Sequence, residues 1–370
     1  MSARGIAACW VVIAHLLWNP IYDAGFAQHT DAGWLAYPIR FDFFAVDFFF
    51  VLSGCMLTLK YRSLFEKKTT GGKTIDRFLL LRLARIYPLH LFTLALLWVM
   101  ANCGIALTHS APHWEKLWEH LPISLLNNLS LTHAWGIIPS GAWNEPAWTI
   151  SIMALLYVCF PNLIYAARRF PDRARATCIA IATLIALYAL QRHVLPLGSH
   201  SDGAGAIMRG FVFFIIGILT ARLHSLGWKS HLPWRHILHA TLAIGLVMIV
   251  LWLQHPFTLA AFHALYPIAL LALLNIQGPH WLRHRSFGWL GTHAFALYML
   301  HYPVLLALKH IAGADLHTLA TTSLIGKITA YLLTLITLGI LSTLAHRFIE
   351  RPTQRYAQSR IHLNDGAAKS

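Results

Sequence analysis

The chain has few charged residues and few cysteines. Only 12% of its 370 residues are Asp, Glu, Lys or Arg, and its five cysteines form no C-x-x-C pair. A soluble domain carries about a quarter charged residues, so the low charge excludes an ordinary soluble fold. A hydrophobic content of 57% excludes a disordered chain, and five scattered cysteines exclude a disulfide scaffold.

What the chain has in abundance is long apolar segments, each near the ~20 residues that span a bilayer. Lipid offers no partner to exposed backbone groups, so these segments must be helices. We therefore predict an all-α, polytopic membrane protein with about ten transmembrane helices, the first and sixth being the shortest. The predicted segments are 5–20, 41–59, 86–106, 146–167, 176–194, 207–221, 236–254, 258–276, 288–308 and 322–345.

The formal charge of +15 reflects where the basic residues lie along the chain. If the N-terminus is cytoplasmic, 23 of the 29 lysines and arginines fall in cytoplasmic segments. This bias predicts that both termini are cytoplasmic, and it explains the charge without a nucleic-acid partner. The exceptions are Arg40, Lys116, Arg192, Arg209, Lys309 and Lys327.

No internal repeat or interdomain linker is evident. We predict one membrane domain over residues 1–357, followed by a polar cytoplasmic tail, 358–370, of disordered composition. The longest outside segment, about 107–145, is rich in Trp, His and Pro. Its stretch 121–131 is predicted to lie in the membrane interface.

Two ionisable residues share one face of the first helix. Arg4 and His15 are eleven positions apart, which brings them to within about 20° around the helix and roughly 16 Å along its axis. A cation at the cytoplasmic end and an imidazole deeper in the membrane suit a long anionic ligand. The alternative is that Arg4 only follows the positive-inside bias and His15 only bonds a neighbouring helix.

Asp47 lies among phenylalanines in the second segment and needs a polar partner, for which His15 is one candidate. A packing ion pair or a protonated acid is the alternative. His301 is a further intramembrane polar residue, and no spacing of ligands predicts a metal site. Ser53–Gly54 predicts close helix packing. Arg82 and Arg85, three positions apart, are either boundary residues or a phosphate clamp.

Six segments, in this order, resemble the signatures of the acyltransferase 3 family of integral membrane acyltransferases, and they cover about residues 3–354. They are Arg4-x10-His15, Val46–Gly54, Arg82–Pro88, Trp148–Ser151 with Tyr157 and Pro161, Leu297–Pro303, and Phe348–Pro352. Two residues after Ser151 the family usually has a glutamate, whereas this chain has Met153. Either another acid such as Glu145 replaces it, the acceptor geometry differs, or the member has little or no activity.

The resemblance implies transfer of an acyl group, often acetyl, from cytoplasmic acyl-coenzyme A to a hydroxyl on the far side of the bacterial inner membrane. The implied acceptor is first an exopolysaccharide or its lipid-linked repeat unit or another lipid-linked glycan, second O-antigen, and third peptidoglycan or a small molecule. Arg4, Arg82 and Arg85 would hold the coenzyme A phosphates. His15 would act as general base, a role worth about 10²–10⁴-fold, and Asp47 would stabilise its imidazolium.

Other positions are carried over from the motifs with less definite roles. Trp148 and Ser151 would line the acceptor or acyl pocket, with Ser151 a candidate oxyanion donor. His301 and Glu350 are grouped with the substrate-binding residues without an assigned step. A covalent acyl-histidine is the less favoured variant. The competing hypotheses are a glycan transporter or flippase and a scaffolding subunit without chemistry. The sequence leaves the acyl group, the acceptor and the oligomeric state open.

Overall fold

A computed structural model of the chain describes residues 2–23, 42–65, 72–103, 121–137, 142–167, 173–194, 202–228, 230–251, 256–276, 284–322 and 324–367. These residues are helical apart from short turns and include no strand, which confirms the all-α prediction. The α-helices are α1 Ser2–Asp23, α2 Asp42–Phe65, α3 Gly72–Asn102, α4 Leu121–Leu129, α5 Trp148–Ala167, α6 Ala174–Val194, α7 Gly203–Ser225, α8 Trp234–Leu251, α9 Pro256–Asn275, α10 Arg285–Thr322, α11 Leu324–Ala345 and α12 Arg351–Ala367.

Six described helical stretches are long and apolar enough to cross a membrane: Phe43–Phe65, Gly72–Asn102, Glu145–Ala167, Gly203–Ser225, Arg285–Leu308 and Tyr331–Ile361. Shorter apolar stretches of α1, α6, α8 and α9 coincide with four other predicted segments, and their crossing stays a prediction. The sixth predicted segment belongs to Gly203–Ser225, the most hydropathic of the six. It was one of the two shortest predicted segments, but the helix that contains it extends beyond the predicted segment at both ends.

The surface has the polarity expected of a protein in lipid. Along α11 large apolar side chains are exposed, among them Ile325, Leu332 and Ile336, with Ile325 78% accessible. Polar side chains such as Asp47 and Ser151 are instead fully buried. A soluble protein of this size would not expose such a continuous apolar face, so these helices present it to the bilayer.

Two helix boundaries differ from the apolar segments seen in the sequence. Helix α3 begins at Gly72, well before residue 86, because a basic first portion with Arg77, Arg82 and Arg85 continues into the apolar one. Helix α12 runs to Ala367 and so includes most of the segment 358–370 predicted to be a disordered tail. The predicted boundary at residue 357 falls inside this helix.

The chain forms two compact units, each made of two chain segments. Unit 1 comprises Met1–Lys68 and Cys159–Thr292, and unit 2 comprises Thr69–Val158 and His293–Ser370. Unit 1 contains the first two motif segments. Unit 2 contains Arg82–Pro88, Trp148–Ser151, Leu297–Pro303 and Phe348–Pro352.

Within unit 1, α2 and α7 pack with their backbones in contact. A methyl group on Gly54 would collide with the carbonyl oxygen of Phe214, and one on Gly217 with that of Val51. This confirms the close packing predicted at Gly54. A second contact joins Asp47 to Arg209. Both helices advance in the same direction from one contact to the other, so α2 and α7 run parallel.

Within unit 2, two prolines in transmembrane helices leave backbone carbonyls available to side chains of other segments. Proline has no N–H, so the carbonyl four residues before it loses its helical partner. Pro88 leaves the carbonyl of Ala84 in this state, and the Oγ1 of Thr353 lies 3.4 Å from it, although the closest acceptor of that hydroxyl is the carbonyl oxygen of Ile349 at 2.7 Å. Pro303 leaves the carbonyl of Met299, which accepts a hydrogen bond of 2.9 Å from the Nδ2 of Asn144.

Candidate functional site

Helix α1 carries Arg4 and His15 on one continuous helix, so their predicted common face stands. The Nδ1 of His15 lies 2.9 Å from the carbonyl oxygen of Val11, one turn earlier. A carbonyl oxygen only accepts, so Nδ1 carries the hydrogen. In the tautomer that this bond favours, the lone pair of the ring is on Nε2.

Asp47 is completely buried in unit 1 and bonded through both of its carboxylate oxygens. The Nε of Arg209 donates to Oδ1 at 2.5 Å, and the Nε2 of His263 lies 3.2 Å from Oδ2. The Nη2 of Arg209 also donates to the carbonyl oxygen of Phe43. The partners of Asp47 thus come from α7 and α9, and His15, the candidate partner from the sequence, is not one of them.

Aromatic rings surround the Asp47–Arg209–His263 cluster. The ring of His263 lies 4.8 Å from that of Phe213 and 5.3 Å from that of Phe44, and Tyr266 donates to the carbonyl oxygen of Phe44. The sequence did not indicate that Arg209 is a partner of Asp47. An arginine within an apolar segment is the same signal that singled out Asp47, with the opposite charge. Its salt bridge with Asp47 explains one of the six exceptions to the positive-inside distribution.

Unit 1 also contains an apolar cavity of about 290 Å³ between α1, α2, α8 and α9. Helix α1 lines it with Ala3, Ile6, Ala7 and Trp10. These positions lie roughly 120° around the helix from Arg4 and His15. The cavity is therefore separate from the face on which a coenzyme A arm was predicted to run, and its apolar lining does not match the amides of that arm.

Unit 2 joins the Arg82–Pro88 segment to the Phe348–Pro352 segment. Glu350 is buried in a π-helical turn, His346–Glu350, and accepts a hydrogen bond of 2.8 Å from the Nδ1 of His346. Arg85 is near enough to interact electrostatically with this carboxylate. The side-chain partner of Glu350 is therefore His346, not the adjacent Arg351. Arg82 lies over the ring of Phe78 at 5.9 Å.

Ser151 holds the loop that follows α4. Its hydroxyl donates to the carbonyl oxygen of Leu131 at 2.7 Å and accepts from the backbone N–H of Ala134 at 3.2 Å. These two bonds fix the loop on either side of His133. An oxyanion role for Ser151 stays a prediction, and it would require the hydroxyl hydrogen to leave Leu131. Trp148 begins α5 beside this loop and is largely buried.

His90 and His133 form a buried pair of parallel rings in unit 2. The ring centroids are 5.3 Å apart and the planes differ by 6°. The Nε2 of His90 lies 2.8 Å from the carbonyl oxygen of Asn128, and that of His133 lies 3.0 Å from the carbonyl oxygen of Ala147. Burial, and then the proximity of His90, lower the pKa of His133 to about 3, so this ring is neutral.

The Leu297–Pro303 segment is tied to the start of α5. The hydroxyl of Tyr298 donates to the carbonyl oxygen of Pro146 and accepts from the hydroxyl of Thr149. His301 is buried and its Nδ1 donates to the carbonyl oxygen of Tyr298. These contacts bring His301 into the same unit as Trp148 and Ser151, and they leave its step in catalysis a prediction.

The position where the family usually has glutamate has no carboxylate in this chain. Met153 is buried, whereas Glu145 is exposed in the short 3₁₀ turn that precedes α5. Within the described ranges no group of three or more His, Cys, Asp or Glu side chains is arranged to hold a metal ion.

An all-helical fold with long apolar spans and buried polar side chains is that of a polytopic membrane protein. The chain belongs to the acyltransferase 3 family, described as an acyltransferase domain, which matches residues 2–345. It is also 26% identical over 331 residues to acyltransferase MdmB of Streptomyces mycarofaciens, covering 84% of this chain and 80% of that protein. No solved structure matches the chain. The protein is therefore a membrane acyltransferase.

Proposed function

We propose that this acyltransferase moves an acyl group, acetyl in the first instance, from acyl-coenzyme A on the cytoplasmic side to a hydroxyl of an extracytoplasmic carbohydrate. The acceptor class is an exopolysaccharide repeat unit or O-antigen, and the membrane is the bacterial inner membrane. His15 is the general base that removes the acceptor proton as the hydroxyl oxygen attacks the thioester carbonyl.

The observation that carries the proposal is the orientation of His15. Its Nδ1–H is held by the carbonyl of Val11, which leaves Nε2 as the atom that accepts a proton. In a hydrolase triad a carboxylate orients the ring through Nδ1. In this protein the backbone carbonyl of Val11 orients the ring instead of a carboxylate. Asp47 is then a residue that stabilises unit 1, and any effect on the imidazolium is exerted from its cluster with Arg209 and His263.

The packing of α2 against α7 supports the proposed topology. Two membrane helices that run parallel are separated along the chain by an odd number of crossings. Between them α3 and α5 are long enough to cross, and α4, with nine residues, is too short. Among the described helices between them, α6 would be the third crossing. This count agrees with ten crossings and two cytoplasmic termini.

The donor would be held by basic residues at the cytoplasmic ends of their helices. Arg4 lies in the first turns of α1, and Arg82 and Arg85 in the first half of α3. Guanidinium groups bind phosphate through paired hydrogen bonds, which suits the phosphates of coenzyme A. The carboxylate of Glu350 near Arg85 would restrain that guanidinium and so help to position it.

The test is a pair of substitutions at His15 with acyl transfer measured in membranes. An asparagine side chain can keep the donor to Val11 but has no atom at the Nε2 position. We expect His15→Asn to lower the rate of acetyl-coenzyme A-dependent O-acetylation by about 10²–10⁴-fold, and His15→Ala to do the same. The matched control is His239→Asn on an exposed face of α8, which should retain full activity.

Export of the acceptor glycan is measured in the same strains. Export should continue in the His15 variants, because the proposed role of His15 is chemical. Retained acetylation in His15→Asn would remove the general base from the proposal. Loss of export with acetylation intact would identify a carrier instead of a transferase.

A further inference from the structure

Unit 2 contains a second set of polar side chains, around the parallel rings of His90 and His133, that none of the roles above explains. They come from α3, α4, the loop after α4 and the turn before α5. All of them are nine-tenths or more buried. No charged side chain belongs to the set, which consists of His90, Asn127, His133 and Asn144, together with Asn128 and Ser124 that brace it.

Three members of this set are fixed through one polar atom and have the other one unused. The Nε2 atoms of His90 and His133 donate to backbone carbonyls, and the Nδ2 of Asn144 donates to Met299. Their remaining atoms are Nδ1 of each ring and Oδ1 of Asn144. None of these has a hydrogen-bond partner among the residues the structure describes.

Asn127 also has one polar atom bonded and one unused, but here the unused atom is a donor. Its Oδ1 accepts from the hydroxyl of Thr132, and its Nδ2 has no partner within the described part of the chain. The backbone of Asn127 also lies close to the ring of His133. A buried polar atom without a partner is destabilising by about 1–3 kcal/mol, so four of them in one region point to a ligand or to water.

The chemistry of the unused atoms indicates what such a ligand must offer. Both rings donate through Nε2, so each neutral ring has an acceptor at Nδ1. The set therefore presents three acceptors and one amide donor. An anion offers only acceptors and would face three of its own kind. A sugar offers several hydroxyl groups, each of which donates and accepts.

Hydrogen bonds from Ser151 and Asn128 hold this set of side chains in place. Ser151 bonds the backbone on both sides of His133, and the Nδ2 and Oδ1 of Asn128 bond Ser124 and the N–H of Trp143. Such bracing fixes side chains in the geometry that a bound ligand needs. It also gives the serine of the Trp148–Ser151 segment a positioning role.

We propose that the His90–His133 cluster, defined as His90, Asn127, His133 and Asn144, is the binding site for the uncharged, polyhydroxylated acceptor of acyl transfer. The assignment of the ligand as the acceptor rests on the proposed function. In the proposed topology the segment between α3 and α5 enters from the extracytoplasmic side, where the acceptor is, and it meets α3 at His90 within the membrane-spanning part of that helix. The cluster binds sugar hydroxyl groups, and it does not bind the phosphates of the donor.

The test uses substitutions that remove only the unused atom. A glutamine side chain can place its amide N–H where the histidine Nε2–H was, and it has nothing at Nδ1. His90→Gln and His133→Gln should therefore keep their bonds to Asn128 and Ala147 and unfold at the same temperature as the native protein. Two variants are made so that the test survives if one of them fails to fold. Asn102→Ala is the matched control, because Asn102 is exposed at the end of α3 and its side chain bonds only Trp98 one turn earlier.

Binding is measured on the purified full-length protein by saturation-transfer NMR, which detects weak ligands. The probes are methyl glucoside, methyl galactoside and methyl mannoside, with glucose 6-phosphate as the anionic comparison. We expect saturable binding of at least one glycoside, about tenfold weaker in each glutamine variant and unchanged in Asn102→Ala. Glucose 6-phosphate should bind at least tenfold more weakly than the corresponding glycoside.

Three results would overturn the assignment: no glycoside binds, the folded glutamine variants bind as the native protein does, or the phosphate ester binds as well as the glycosides. Unchanged binding in the variants would mean that the unused atoms are satisfied by buried water. Donor consumption is assayed in parallel with acetyl-coenzyme A. Glycoside binding that depends on His90, without acyl transfer, would contradict the proposed function and retain a sugar site. Acyl transfer with an acceptor KM unaffected by His90→Gln would contradict the acceptor site and leave the proposed function intact.

Discussion

The two units of this protein bury polar groups in opposite ways. In unit 1 the buried polar centre is charged: Asp47 is bonded by Arg209 and His263 through both carboxylate oxygens. In unit 2 the centre around His90 and His133 is neutral, and each ring is bonded through one nitrogen with the other unused among the described residues. The first arrangement is held by an ion pair, and the second presents neutral polar atoms that a ligand can bond.

The difference separates two reasons for having polar residues in a membrane. A buried ion pair with several hydrogen bonds specifies which helices pack together, because neither charge can face lipid. A set of neutral side chains with unused atoms adds little to packing and leaves groups that a ligand can satisfy. Asp47, which stood out in the sequence by its charge, belongs to the first kind. His90 and His133, which did not stand out, belong to the second.

The largest expected effect on stability comes from breaking the charged cluster. Arg209→Met leaves the carboxylate of Asp47 buried without its main partner, and we expect it to lower the free energy of unfolding by about 3–5 kcal/mol. Unfolding in mixed detergent micelles with increasing dodecyl sulfate measures the change. The double variant Asp47→Leu, Arg209→Met removes both charges and should recover most of the loss. A double variant as unstable as the single one would show that the cluster does not act through its charge.

An intermediate effect is expected from the loop of unit 2. Ser151→Ala leaves the carbonyl of Leu131 and the N–H of Ala134 without a partner, which should lower the free energy of unfolding by about 1–3 kcal/mol. Ser342→Ala is the control, because Ser342 is fully buried and its hydroxyl has no partner among the described residues. It should leave stability unchanged or raise it. Equal losses in the two variants would contradict the bracing role of Ser151.

The smallest effect is a dependence of stability on pH. The pKa of His133 is about 3 in the folded protein, below the ordinary 6.5, so the unfolded chain takes up a proton that the folded chain does not. The contribution of His133 is full above pH 6.5 and is lost as the pH falls toward 3. Between pH 7.5 and 6 we expect a loss of about 1 kcal/mol. His133→Gln should lack this part of the slope, and identical slopes would show that His133 titrates in the folded state.

The sequence predicted the helices well where they are apolar and the site only in part. Apolar length identified all six long spans, yet it missed the first portion of α3, where arginines continue the helix. Burial in lipid showed that Asp47 needs a partner. It could not show which one, because Arg209 and His263 follow it by 162 and 216 residues. His90 and His133 carry no charge or spacing that distinguishes them among 23 histidines.

The prolines of the Arg82–Pro88 and Leu297–Pro303 segments give these motifs a physical meaning that no side chain supplies. Each one exposes a main-chain acceptor in the interior of a membrane helix, and at Met299 a distant asparagine, Asn144, donates to it. The packing specificity at these prolines therefore depends partly on backbone carbonyl groups. Replacing Pro303 with alanine would give the carbonyl of Met299 an N–H partner in its own helix, which would compete with Asn144 although neither Met299 nor Asn144 had been altered.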